Sequence, residues 1–198
     1  MIYLTQEKVR VHVLKEYNKR RLFYPANPVR SILLDSIDCI QSLASGLKAS
    51  CEGYDQHKGS IASWLKEEMP SLFLPRFVVA VPSRRTVSRE LAESFAEIYG
   101  CTDLSELFTK LNAELRAGEQ EVDASSLAGN LVCRDDLECI QADDSILIVD
   151  DVYSTGNSID VMKQKICLAS GARGLHFVGA AILSVSPIPT LSPSTPAR

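Results

Sequence analysis

A chain of 198 residues, 45% hydrophobic and 23% charged, has enough apolar side chains for one sizeable core and reads as a single globular domain. Its net charge of −4 gives no general footing for nucleic acid as a partner. No apolar run reaches the roughly 18 residues of a membrane span. The six cysteines form no C-x-x-C pair and follow no signal peptide, so a reduced, soluble, cytoplasmic protein is expected rather than a disulfide framework or zinc site.

Residues 1–24 stay open between two readings. Val9, Val11 and Val13 alternate with Arg10 and His12 as in a half-exposed strand, which would put His12 on the surface, while Thr5-Gln-Glu-Lys could open a helix. Asn27-Pro28 is a helix start, and Val29, Leu33, Ile37, Ile40, Ala44 and Leu47 follow at helical spacing. Cys51–Gly59 reads as a polar loop with His57 exposed. Ser60 caps a short helix that Pro70 ends, and Trp64 serves its packing.

Phe77–Val81 is an apolar run bracketed by Pro75 and Pro82, as a buried strand would be. The turn Pro82-Ser83-Arg84-Arg85 leads into a helix capped by Thr86 or Ser88, striped by Leu91, Phe95 and Ile98, and ended by Gly100. Leu104–Leu115 has helical spacing. Beyond it, residues 116–126 are polar and without period, as a mobile loop is; Lys110 and Arg116 are its basic candidates.

The most informative stretch is Ile146–Ser158, I-L-I-V-D-D-V-Y-S-T-G-N-S. Four apolar residues form a doubly buried strand, two acids stand at its carboxyl end, and a small polar turn opens a helix. Ligands of open α/β sheets sit outside the carboxyl ends of the strands. A helix N-terminus with free N–H groups suits a phosphate, and Gly156 permits close approach. Asp150 and Asp151 suit sugar hydroxyls or a hard cation instead. No G-x-x-x-x-G-K-[ST] loop is present, which weakens a nucleotide-hydrolase reading. Ile159, Met162, Ile166 and Ala169 line the next helix up to Gly171, Leu175–Leu183 is a last strand, and the Pro- and Ser-rich end is expected to be a disordered tail.

This stretch resembles the signature of type I phosphoribosyltransferases. The resemblance implies an α/β fold, a mainly parallel sheet with helices on both faces. It spans residues 76–184, with residues 1–75 a helical N-terminal extension or hood and 185–198 the tail. It implies transfer of ribose 5-phosphate from phosphoribosyl pyrophosphate to a nitrogenous base or similar small acceptor, with Mg²⁺ as cofactor. Asp150 and Asp151 would be the catalytic acids, holding the ribose hydroxyls and, directly or indirectly, the metal. Ser154, Thr155, Gly156, Asn157 and Ser158 would hold the 5-phosphate, and Ser83, Arg84 and Arg85 the pyrophosphate. A loop in residues 101–144 would close over the site, and a homodimer is compatible with the family. Ser154 stands where hypoxanthine–guanine enzymes carry an aspartate, so salvage of that type is not expected. The arrangement is similar to the competence-associated members without their amino-terminal zinc cysteines. Two other classes remain: a regulator of the same fold that binds nucleotide or phosphoribosyl pyrophosphate without turnover, and a pure interaction module.

Overall fold

The computed structural model describes residues 1–16, 37, 39–40, 52–83, 86–111, 124–134 and 137–184. At the amino end, β1 (Ile2–Leu4) and β2 (Arg10–Glu16) form an antiparallel hairpin. Then come α1 (Glu52–Glu68), β3 (Phe77–Ala80), α2 (Val87–Tyr99) and β4 (Thr102–Asp103). A 3₁₀ turn at Ser105–Leu107 precedes β5 (Phe108–Lys110), and α3 (Ala124–Asn130) precedes β6 (Leu131–Cys133). The chain ends its described part with β7 (Ser145–Tyr153), α4 (Asn157–Ser170) and β8 (His176–Ser184).

Six strands make one sheet in the order β1-β2-β8-β7-β3-β4, in which every neighbouring pair except β1–β2 is parallel. The centre is β7, whose Ile146–Val149 are fully buried because side chains cover both faces. Leu147 and Val149 face α1 and α2, packing with Trp64, Leu65, Leu91 and Phe95. Ile146 and Ile148 face α4, with Ile159, Met162 and Ile166. This is the expected parallel sheet with helices on both faces.

The hairpin resolves the first open reading in favour of strand, and β2 is covered on both faces rather than half exposed. Val9, Val11 and Val13 join the α4 side, and Leu14 joins the α1 side. His12 is therefore not a surface residue: it is 2% exposed, and burial pushes its imidazole below the ordinary value, partly offset by the Glu68 backbone. Of the polar loop read at Cys51–Gly59, residues 52–59 are instead the first half of α1, fixed by buried Tyr54, whose hydroxyl donates to the Val87 carbonyl at 3.1 Å. Leu104–Leu115 is likewise not one helix. Asp103 accepts from Ser105 N–H at 2.8 Å, which closes a single tight turn, and Phe108–Lys110 then pair with Leu131–Cys133 in a separate two-stranded ribbon. Ile37 and Ile40 are helical and buried, as the spacing required, while the remaining residues of the 29–47 reading and the expected tail 185–198 lie outside the described residues. No helix among the described residues is long and apolar enough to cross a membrane.

Gly179 on β8 is closely packed by the neighbouring strand β2 and by α4. A Cβ there would lie 2.8 Å from Val11 Cγ2 and 3.3 Å from Ile159 Cδ1. Gly179→Ala should therefore cost about 1–3 kcal/mol through overpacking. Combined with Val11→Ala it should cost less than the two single changes added together; strict additivity in urea denaturation would show that the contact is not what limits this position.

Candidate functional site

The parallel register of β3 and β7 decides which groups meet. Ala80 lies opposite Val149, and Val81 N–H donates to the Val149 carbonyl at 2.7 Å. Both strands run toward the same carboxyl edge, so the Pro82-Ser83 turn follows β3 beside the Asp150-Asp151 stretch of β7. Arg84 and Arg85 lie outside the described residues. The β3 exit is pinned by Ser105, whose hydroxyl accepts Ala80 N–H at 2.8 Å and itself bonds to Asp103. Thr86 sits at the head of α2 without a side-chain capping bond, contrary to the capping role expected for it; its own backbone is already helical there.

The strand does not stop at the acids. β7 continues through them to Tyr153 because β8 is long enough to pair with it, Asp150 opposite Ala181 and Tyr153 opposite Ser184. Asp150 is consequently 8% exposed, while Asp151 is partly exposed. Asp150 Oδ1 accepts Asp151 N–H at 2.9 Å. Burial raises the Asp150 pKa well above the ordinary carboxylate range, the neighbouring Asp151 charge adds to this, and Lys110 opposes it. Lys110, one of two basic candidates in its segment, is thus within electrostatic reach of the acids; Arg116 lies outside the described residues.

After Tyr153 the chain turns through Ser154, Thr155 and Gly156 into α4. Gly156 has φ +83°, a left-handed conformation that a Cβ would strain. Asn157 and Ser158 form the first turn of the helix and, like Ser154, are half-buried, while Thr155 is exposed. The five residues expected to hold a phosphate are therefore together at one helix N-terminus with an open side.

On the β3 side of the acids lies a cavity of about 330 Å³, lined among others by Ser83, Arg89, Ser105, Glu106, Lys110 and Arg134. Three cations face one carboxylate there, and Arg89 is ion-paired to that carboxylate, Glu106. Such a lining suits a multiply charged anion. Sequence reading missed Arg89, Ser105 and Arg134. Arg89 is an exposed residue of α2, and Arg134 follows the β5–β6 ribbon, of which Phe108–Lys110 fell in the expected 104–115 helix and Leu131–Cys133 carried no expected element.

Among the described residues no three His, Cys, Asp or Glu are grouped to hold a metal unaided. Mg²⁺ is commonly held by one or two carboxylates with substrate phosphates and water completing its shell. Asp150 and Asp151 fit that arrangement: they are hard oxygen donors, and the crowding that disfavours the Asp150 charge is what a nearby cation would offset.

No protein-family model matches the chain, and no curated protein does. Solved structures similar to it include an adenine phosphoribosyltransferase at 16% identity, covering 67% of this chain and 70% of that one with a TM-score of 0.45. A second is adenine phosphoribosyltransferase from Saccharomyces cerevisiae in complex with an imino-altritol bisphosphate and adenine, at 14% identity over 68% and 70% of the chains, TM-score 0.44. A third is purine phosphoribosyltransferase from Pyrococcus horikoshii, at 15% identity over 66% and 81%, TM-score 0.38. All three scores lie below 0.5, and the site is defined by this chain's own strand ends.

Because the folded-state pKa of Asp150 is raised, its carboxyl adds stability at acid pH and loses it as pH rises through that folded value. Asp150→Asn removes the charge that burial penalises. At pH 8 the variant should melt about 2–4 °C above wild type, with the gap closing toward pH 4. A lower melting temperature at pH 8 would mean that the ionised carboxylate is stabilising.

Proposed function

We propose that the chain is a phosphoribosyltransferase that uses phosphoribosyl pyrophosphate and Mg²⁺ to place ribose 5-phosphate on a nitrogen acceptor, releasing pyrophosphate. One observation carries this reading: a carboxylate pair stands between a phosphate-suited turn on its own strand and a cationic cavity on the neighbouring strand. A ligand that needs all three has a monophosphate at one end, a diol in the middle and a diphosphate at the other. The turn Ser154–Ser158 would take the 5-phosphate through backbone N–H groups and hydroxyls. Asp150 and Asp151 would accept hydrogen bonds from the 2- and 3-hydroxyls.

Ser83, Lys110 and Arg134 would hold the pyrophosphate, with Arg84 and Arg85 next along the chain as further partners. Bound Mg²⁺ would add charge stabilisation for the departing pyrophosphate. As the C1–O bond breaks, its electron pair leaves with pyrophosphate, and the fixed cations receive that charge without reorganising. Asp150 and Asp151, ionised when a cation is near, favour the positive charge that develops on the ribose ring. The soluble, cytoplasmic setting expected from composition is consistent with such a substrate.

Pyrophosphate release measured against a panel of purine, pyrimidine and smaller nitrogen acceptors tests the reading; saturable binding with no release on any acceptor would leave the non-catalytic regulator as the better account. Phosphoribosyl pyrophosphate with Mg²⁺ at a hundredfold excess over Kd should stabilise the fold by about 2.7 kcal/mol. Lys110→Ala and Arg134→Ala should each weaken inorganic pyrophosphate by roughly 1.5–3 kcal/mol while sparing ribose 5-phosphate. Isothermal titration in which these variants bind pyrophosphate like wild type would remove the cavity from the site.

A further inference from the structure

The Gly156 carbonyl of the phosphate-suited turn accepts Asp160 N–H at 3.0 Å. Within it, Asn157 N–H reaches Thr155 Oγ1 only at 3.4 Å. The amino-terminal hairpin, more than 140 residues away in sequence, grips it before, within and after. Before the turn, the Tyr3 ring stacks on Tyr153 with centroids 4.9 Å apart, and the Tyr3 hydroxyl is hydrogen-bonded to Ser184 Oγ at 2.9 Å. Within it, Thr5 packs on Gly156 so closely that a Cβ on that glycine would lie 2.9 Å from Thr5 Cγ2. After it, Glu7 N–H donates to Asp160 Oδ2 at 3.2 Å, and Lys163 Nζ donates to the Glu7 carbonyl at 2.7 Å.

These contacts are built rather than incidental. Thr5 is 5% exposed, and its Oγ1 accepts Val9 N–H at 3.0 Å, which turns its methyl toward Gly156. Asp160 is 4% exposed, and Oδ1, its other oxygen, has no partner. The Glu7 N–H is thus what holds this carboxylate in the first turn of α4. The hairpin turn also keeps Lys8 at φ +60°, an unfavourable backbone for lysine that the Lys8 N–H bond to the Thr5 carbonyl, 3.0 Å, helps to maintain. None of the three contacts covers Thr155, which stays exposed.

We infer that the hairpin is a clasp that preorganises the turn for a phosphate, with Tyr3 and Thr5 as its positioning residues. The inference rests on the phosphoribosyl reading, since it assigns the turn its ligand. The physical basis is that a turn already held in its binding conformation loses less freedom when an anion docks. Tyr3 and Thr5 act through Tyr153 and Gly156 and need not touch the ligand. Thr5-Gln-Glu-Lys carries no local signal of such a role, because nothing in the sequence links it to residues 153–163.

The test is titration of the full chain with ribose 5-phosphate and, separately, with inorganic pyrophosphate, alongside a melting curve for each variant. Tyr3→Ala should raise the Kd for ribose 5-phosphate roughly tenfold, and Thr5→Ser, which removes only the methyl on Gly156, about threefold. Tyr3→Phe keeps the ring stack and should stay close to wild type. Pyrophosphate affinity should not change in any of them. Thr5→Ser keeps the hairpin's own hydroxyl bond, so it tests the idea even if Tyr3→Ala fails to fold. Wild-type protein that binds no ribose 5-phosphate overturns the phosphoribosyl reading and the clasp together. Wild-type binding that persists in Tyr3→Ala and Thr5→Ser, or an equal loss for both ligands, overturns the clasp alone.

Discussion

A carboxylate buried within the central strand, directly after four fully buried apolar residues, costs free energy unless something compensates it, and much of the surrounding structure answers it. Asp150 continues the same β7 edge as Ile146–Val149, pairs with Ala181 of β8, and is nearly as buried as they are. Water is largely removed from it, a second carboxylate stands next to it, and Lys110 is a cation in reach. A fold selected for stability alone would put a neutral side chain there. That the acid is kept, with an adjoining acid and a cationic cavity, is understandable if its charge is completed by something that arrives from outside.

The parallel sheet makes that completion possible. Antiparallel neighbours would send alternate strand exits to opposite edges, whereas β3 and β7 run toward one edge, β3 ending opposite Val149 and β7 continuing to Tyr153. The turn after β3 and the turn after β7 then lie toward one edge of the sheet. Ser105 adds rigidity at one exit by taking the Ala80 N–H, a bond that the sheet itself leaves unmade at the end of the short strand β4.

The amino-terminal residues belong to this arrangement and not to a separate layer. β2 lies against β8 over its whole length and shields the α4 face through Val9, Val11 and Val13. Gly179 is the position that permits it, because any larger residue would press on Val11 and Ile159 together. The hairpin's turn thereby reaches the start of α4, so a segment whose sequence left two readings open borders the most legible one.

The apolar run Ile146–Val149, the paired acids, Gly156 and the helix after it were all readable from sequence, because strand burial, a helix start and a left-handed glycine are local properties with local signals. The Phe77–Val81 strand with its following helix and the last strand were legible for the same reason. What sequence alone could not decide were matters of contact between distant segments. His12 looked exposed because alternation reports one covered face, and only α1 packing over the other face buries it. Phe108–Lys110 read as helix because leucine spacing ignores a partner strand supplied by residues 131–133. Arg134 and Arg89 line the cavity beside Ser83 through that ribbon and through the helix after β3, and Tyr3 and Thr5 are placed by a hairpin whose second strand, β2, pairs in parallel with β8. Periodicity encodes which face of an element is buried, but the identity of the covering element is fixed only when the whole sheet is assembled.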